Sequence, residues 1–235
     1  MSQVIHWFNQ QKYSHKGTQK LLVTLSYAQA LDGSLTDSRG RPVQLSGPEA
    51  LRLTHQLRAH HDAILAGIGT VLSDDPLLTV RKVRGRNPQP IILDSRLRIP
   101  LDCKLLQRKD CQVWVACSEA ADESRQEELR GLGVKLIPVP LHAAGGLDLK
   151  ILLRVLASRG VESIMVEGGA KVVTSFLVGK LADLAVITLT PYWMGGLNAY
   201  TPQGAPDHFP VLARGGYEVF GENAVVYGEL EWRVK

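Results

Sequence analysis

Cysteine is scarce in this chain. Cys103, Cys111 and Cys117 form no CxxC pair and have no HxH or HxE companion. That spacing excludes a structural zinc site and a zinc-deaminase site, and it offers no disulfide framework. No metal is expected, and the cysteine usage fits a reducing, cytoplasmic setting. Long apolar runs are also missing. None approaches the roughly 18 residues needed to cross a bilayer, so no membrane partner is expected. Residues 1–20 lack the continuous apolar core of a signal peptide and carry Lys12, Lys16 and Lys20 without any acid. They read as a loosely held N-terminal extension, with an interfacial helix as the lesser alternative, ahead of a single domain over 21–235. An excess of charge is missing too. The net charge is +4, with basic residues spread along the chain, so nucleic acid is not implied and a small anionic substrate fits equally well. There is no internal repeat, no GxGxxG fingerprint, no P-loop and no GxSxG elbow.

What is present is an ordinary globular composition: 45% hydrophobic and 21% charged residues over 235 positions, enough for a substantial core. Short apolar runs alternate with helix-period segments. LLVTLSYA (21–28), DAILAG (62–67), QPIILD (89–94), CQVWVAC (111–117), VKLIPV (134–139), SIMV (163–166) and LADLAVITLTP (181–191) read as strands. Between them lie helix candidates. One is opened by a capping box at Ser46-Gly-Pro-Glu49, with Ala50, Leu53 and Leu57 as its apolar stripe to about His60. Others are DESRQEELRGLG, the Leu149–Leu156 segment ended by Gly160, and AKVVTSFL. YEVFG and AVVYGELEW read as an antiparallel hairpin turning near Glu222 and Asn223. The expectation is an α/β fold: a mostly parallel central sheet, helices on both faces and an antiparallel C-terminal hairpin.

Ligands of such sheets bind outside the C-terminal strand ends, which selects three corners. After DAILAG comes Gly67-Ile-Gly69-Thr70, then Asp74-Asp75-Pro76 and Arg81. Pro76 pushes Asp75 out of the helical region and makes a rigid turn. The two acids and the arginine suit ribose hydroxyls and a phosphate, or else a solvated turn. After QPIIL comes Asp94-Ser95-Arg96-Leu97-Arg98, suited to a 2′-phosphate or simply an exposed basic turn. After SIMV comes Glu167-Gly168-Gly169-Ala170. It is either a phosphate-binding helix start or a turn that needs φ > 0. Arg58 lies one turn beyond Thr54 and reaches toward the sheet edge. His55, His60 and His61 read as surface residues, and the Met and Trp residues as core.

These pieces, in this order, resemble the RibD C-terminal domain family of riboflavin-pathway reductases. The resemblance rests on YAQALDGSL (27–35), LRAHHDAILAGIGTVLSDDPLLTVR (57–81), PIILDSRLRIP (90–100), IMVEGGAKVVTSFL (164–177) and LADLAVITLTPYWMGG (181–196). It is closer to the free-standing fungal and archaeal type than to the fused bacterial form. It implies a dihydrofolate-reductase-like fold, NADPH as cofactor, and reduction of the ribosylamino group of a pyrimidine 5′-phosphate to ribitylamino. It also implies a homodimer, for which 217–232 offers an edge. By the same resemblance, Thr70, Asp74, Ser95 and the run Gly168, Gly169, Ala170, Lys171, Val172, Val173 and Thr174 hold the cofactor. Arg58, Leu77, Arg81 and Glu167 contact the substrate, and Asp74 is the catalytic candidate while Asp75 holds the turn. Two places depart from the fused form. Ser26 stands where those enzymes have Lys, and Gln44-Leu45-Ser46-Gly47 replaces Trp-Ile-Thr-Ser. The competing readings are a related NADPH-dependent reductase of another pyrimidine or pteridine, and a catalytically silent nucleotide-binding relative.

Overall fold

In the computed structural model, which describes residues 2–18, 20–39, 41, 43–142, 145–202 and 208–234, every one of the expected apolar runs contributes to a single sheet. Met1, Gln19 and Lys235, which fall within the two segments expected from sequence, lie outside the described residues. The elements in chain order are α1 (Gln3–His15), β1 (Leu22–Ala30), α2 (Pro48–His60), β2 (Ala63–Gly67), α3 (Ile68–Asp74), β3 (Gln89–Leu93), β4 (Trp114–Ser118) and α4 (Glu123–Gly131). There follow β5 (Lys135–Val139), α5 (Leu149–Ser158), β6 (Ser163–Val166), α6 (Ala170–Val178), β7 (Leu184–Thr190), β8 (His208–Phe220) and β9 (Asn223–Val234). The strand order is β5-β4-β3-β2-β6-β1-β7-β9-β8. All pairs from β5 to β7 are parallel, and β9 and β8 are antiparallel additions.

Register explains how the faces divide. Val23 and Ala63 both pair with Ile164, while Thr24 and Ile64 both pair with Met165. Alternate strand residues point to opposite faces. One face carries Val23, Leu25, Leu65, Ile164 and Val166, covered by Leu152 and Leu156 of α5 and by Val173 and Phe176 of α6. The other face carries Leu22, Met165, Ile64 and Ile92. It is covered by α1 and α2 at one end and by Val71 of α3 and Leu129 of α4 at the other. Fully burying one such aliphatic side chain contributes roughly 1.5–3 kcal/mol.

Three expectations are corrected by the packing. Residues 3–15 are not a loose extension. Val4, Ile5, Trp7 and Phe8 are buried, Phe8 stacks on His61 at 4.5 Å, and Lys12 Nζ donates to the His60 carbonyl at 2.6 Å. Trp7 Nε1 donates to Arg214 O at 3.0 Å, tying the helix to β8. Second, the capping box does not form. The N-cap of α2 is Gly47, without a side-chain cap, and its N–H donates to Asn223 Oδ1 at 2.8 Å. Third, not every tryptophan is core, since Trp193 is 77% exposed.

Candidate active site

β2 and β6 are hydrogen-bonded neighbours, with Leu65 opposite Val166, yet their chains leave toward opposite faces. Gly67 runs into α3 on the α2 side of the sheet, and Glu167-Gly168-Gly169 runs into α6 on the other side. A crevice opens wherever neighbouring strands diverge in this way. β3 is the other neighbour of β2, with Leu93 opposite Gly67, so the Asp94 corner borders the same crevice. The three corners picked out by sequence therefore converge.

The glycines are there for space rather than for backbone freedom. None of Gly67, Gly69, Gly168 and Gly169 has a positive φ, which overturns the turn reading. A Cβ at Gly67 would lie 2.8 Å from Val172 Cγ2, and one at Gly168 would lie 2.4 Å from Val172 Cβ. These two glycines let α6 close onto the sheet. At Gly69 and Gly169 an added Cβ would meet nothing within 4 Å. Both are exposed, Gly69 in the first turn of α3 and Gly169 at the N-cap of α6, ahead of the Ala170 and Lys171 N–H groups that precede any acceptor inside the helix. Val173 faces the core and is fully buried, and its N–H donates to Gly169 O at 3.1 Å. Ala170 is buried, Lys171 is exposed, and Thr174 Oγ1 accepts from Thr201 N–H at 3.0 Å.

On the α2 side the crevice is lined by charge. Arg58 donates from Nε to Glu167 Oε1 at 2.7 Å and from Nη2 to Glu167 Oε2 at 2.6 Å, a bidentate pair with side chains only 11% and 16% exposed. Burial works against the Arg58 charge, but the Glu167 carboxylate outweighs it and raises the guanidinium's pKa. Arg58 Nη1 also donates to Thr79 O at 3.0 Å. The two residues expected to contact substrate thus meet each other first. Arg81 has no carboxylate partner among the described residues; its Nη1 donates to Thr79 Oγ1 at 2.7 Å. Burial, and then the Arg58 charge, lower its pKa.

The stretch between them is not a plain connector. Ile68–Asp74 is the helix α3, with Thr70 half-buried and Asp74 exposed at its last position. Asp75 is pushed out of the right-handed helical region as expected, but into the left-handed one, at φ 41°. It accepts from Lys104 N–H at 2.9 Å, and its carboxylate lies 3.4 Å from Lys104 Nζ, so it holds the turn. From there each residue but Pro76 is fastened. Leu77 O accepts from Arg108 at 3.2 Å, Leu78 is buried, Val80 N–H donates to Asn87 Oδ1 at 2.7 Å, and Arg81 N–H donates to His55 Nδ1 at 3.0 Å.

That last contact corrects the reading of His55 and His61 as surface residues, while His60 is half-buried. His55 is 1% exposed and His61 is 2% exposed. His61 Nδ1 donates to Leu57 O at 2.7 Å and its Nε2 accepts from Thr24 Oγ1 at 3.0 Å. Burial lowers both pKa values to about 4, so both rings are neutral.

At the third corner, Asp94 is fully buried and accepts from Ile99 N–H at 2.8 Å, with Arg98 Nε 3.8 Å from its other oxygen. Burial raises its pKa. This carboxylate shapes the loop, leaving Ser95 half-buried and Arg96 and Arg98 exposed. Sequence reasoning missed Asp32. Its Oδ2 accepts from the N–H groups of Met194 at 2.9 Å and Gly195 at 2.7 Å, which hold its pKa down at about 2, the Gly195 bond foremost. It ties the end of β1 to the loop after β7. The Asp32-Gly33 pair after a strand was the only local signal.

A sequence profile of the RibD C-terminal domain matches residues 22–226. The chain is 38% identical over 182 residues to the 2,5-diamino-6-ribosylamino-4(3H)-pyrimidinone 5′-phosphate reductase of Methanothermobacter thermautotrophicus, covering 76% of this chain and 82% of that protein. It is 34% identical over 189 residues to the Archaeoglobus fulgidus protein of the same name, covering 76% and 84%. Among solved structures it resembles the Saccharomyces cerevisiae riboflavin biosynthesis reductase, with a TM-score of 0.74, 28% identity and 92% of each chain covered.

Proposed function

The chain belongs to the RibD C-terminal domain family and has its dihydrofolate-reductase-like fold, and on that premise we propose an NADPH-dependent reductase. It takes 2,5-diamino-6-ribosylamino-4(3H)-pyrimidinone 5′-phosphate and converts the ribosylamino group to ribitylamino, a step of riboflavin biosynthesis. The observation that carries this reading is the crevice between β2 and β6, with a charged wall on the α2 side and an open glycine corner at α6.

A dinucleotide fits that corner, because Gly69 and Gly169 leave room where any side chain would intrude and α6 presents its first N–H groups there. The N–H groups of Gly168, Gly169, Ala170 and Lys171 would hold the pyrophosphate, while those of Val172 and Val173 are already given to Gly169 O and only support the turn. Thr70 would stand at the ribose, and Ser95 with Arg96 and Arg98 at a 2′-phosphate. When bound, NADPH supplies a hydride to C1′ of the ring-opened sugar imine. The chain's residues do the rest. Arg81 binds the 5′-phosphate. Glu167, locked by Arg58, offers a fixed carboxylate edge to the pyrimidine. Asp74 faces the sugar and passes a proton, its own or one relayed from water, to the imine nitrogen as hydride reaches C1′, giving the amine. The β-rich edge at β8 is the surface we assign to a homodimer.

The test is NADPH oxidation with the diaminopyrimidinone phosphate, its deaminated aminouracil counterpart and dihydrofolate, each compared with NADH. Turnover of the first, with NADPH preferred at least tenfold, is the expected result. Turnover of dihydrofolate alone, or a preference for NADH, would contradict the assignment.

A further inference from the structure

We propose that His55 is a positioning residue that sets the Arg81 guanidinium for the substrate's phosphate. The inference rests on the reading of Arg81 given above and adds a residue that touches no ligand.

His55 and Arg58 lie three apart on α2, on one side of the helix. Together they grip one short segment at two points. Arg58 Nη1 donates to Thr79 O, and His55 Nδ1 accepts from Arg81 N–H. Within that segment Arg81 Nη1 donates to Thr79 Oγ1 at 2.7 Å, so the two side chains meet. The backbone and side chain of Arg81 are therefore fixed from the same helix that holds Glu167. Such a grip requires an acceptor at Nδ1, hence a neutral ring with its hydrogen on Nε2. The groups around the ring enforce this. Burial acts first, then the Arg58, Arg81 and Lys82 cations, against the single opposing charge of Glu167. A hydrocarbon of similar size would fill the same space but leave the Arg81 N–H without its acceptor and release the segment.

The test uses His55→Leu, His55→Asn and Arg81→Ala, alone and combined, in the full chain. Asn offers an oxygen near the place of Nδ1. His55→Leu is expected to raise the KM for the pyrimidine phosphate at least tenfold, leave the KM for NADPH within twofold, and change kcat less than threefold. His55→Asn should restore the substrate KM to within threefold of the parent. In the Arg81→Ala background, His55→Leu should add nothing. A full KM effect of His55→Leu in that background, or no rescue by Asn in a variant whose circular dichroism and melting match the parent, would overturn the proposal. Inorganic phosphate provides a readout independent of turnover. The phosphate-induced rise in melting temperature should vanish in Arg81→Ala, shrink in His55→Leu and return in His55→Asn. If the parent fails to oxidise NADPH with any pyrimidine phosphate, the reaction assigned above is wrong, and the phosphate series alone decides for or against His55.

Discussion

The two walls of the crevice are built on different principles. On the α2 side, the segment from Asp75 to Arg81 is tied down nearly residue by residue, through Lys104, Arg108, Arg58, Asn87 and His55. On the α6 side the wall is made by leaving atoms out, with Gly67 and Gly168 admitting Val172 and Gly69 and Gly169 facing open space. Holding a variable polar substrate calls for fixed charges, and fixed charges need second partners to stop them moving. A dinucleotide's phosphates need only backbone N–H groups and room, which a helix start beside glycine supplies without further support.

Asp74 is the exposed last residue of α3 and the acid proposed for the proton step, so its removal should have the largest effect on turnover. Asp74→Asn is expected to lower kcat about a hundredfold or more, measured by NADPH oxidation, with melting unchanged because the side chain is exposed. An equal kcat would detach α3 from the chemistry. Next comes the charged pair. Arg58→Met should cost about 3 kcal/mol in urea unfolding, since it strands Glu167 in a half-buried place and frees Thr79 O. A loss under about 1 kcal/mol would mean the α2 wall is not stiffened by that pair.

The glycine wall can be split against itself. Gly168→Ala forces a Cβ onto Val172 and should destabilise the fold by about 2 kcal/mol. Gly169→Ala meets no neighbour, so it should fold normally and weaken only NADPH binding. Equal stability losses for the two would erase the distinction between packing glycines and ligand glycines. The α2 side alone should also carry a pH dependence. The folded pKa of His55 and of His61 is about 4, below the ordinary 6.5, so the unfolded chain binds the extra proton. Their contribution to stability is whole above pH 6.5 and is lost as pH falls toward 4. Between pH 7 and pH 5 the unfolding free energy from urea titration should fall by about 2 kcal/mol per histidine, and by less in His61→Asn.

Much of the glycine wall was legible in the sequence, because strand, glycine pair and helix start follow one another without interruption from Ser163 to Val178. The strand ends and the Asp75-Pro76 turn were legible for the same reason. The α2 wall was not. His55 lies 26 residues from the N–H it accepts, and Lys104 lies 29 from Asp75. No periodicity or local motif reports such pairings, so a buried acceptor such as His55 reads as one more polar residue on a helix. Helix α1 was only the lesser alternative for a related reason. Its buried face is only Val4, Ile5, Trp7 and Phe8, and its remaining anchors, Glu218, Arg214 and His60, come from elsewhere in the chain.

The most direct measurement is amide hydrogen exchange with and without NADPH. New protection is predicted at 67–70 and 168–171, while the amides of Asp75, Val80 and Arg81 exchange slowly in both states because their acceptors are already in place. Protection appearing instead around the cavity of about 390 Å³ at the opposite end of the sheet, lined by Lys12, Lys16, Lys20 and Glu162, with 67–70 and 168–171 unchanged, would contradict the assigned site.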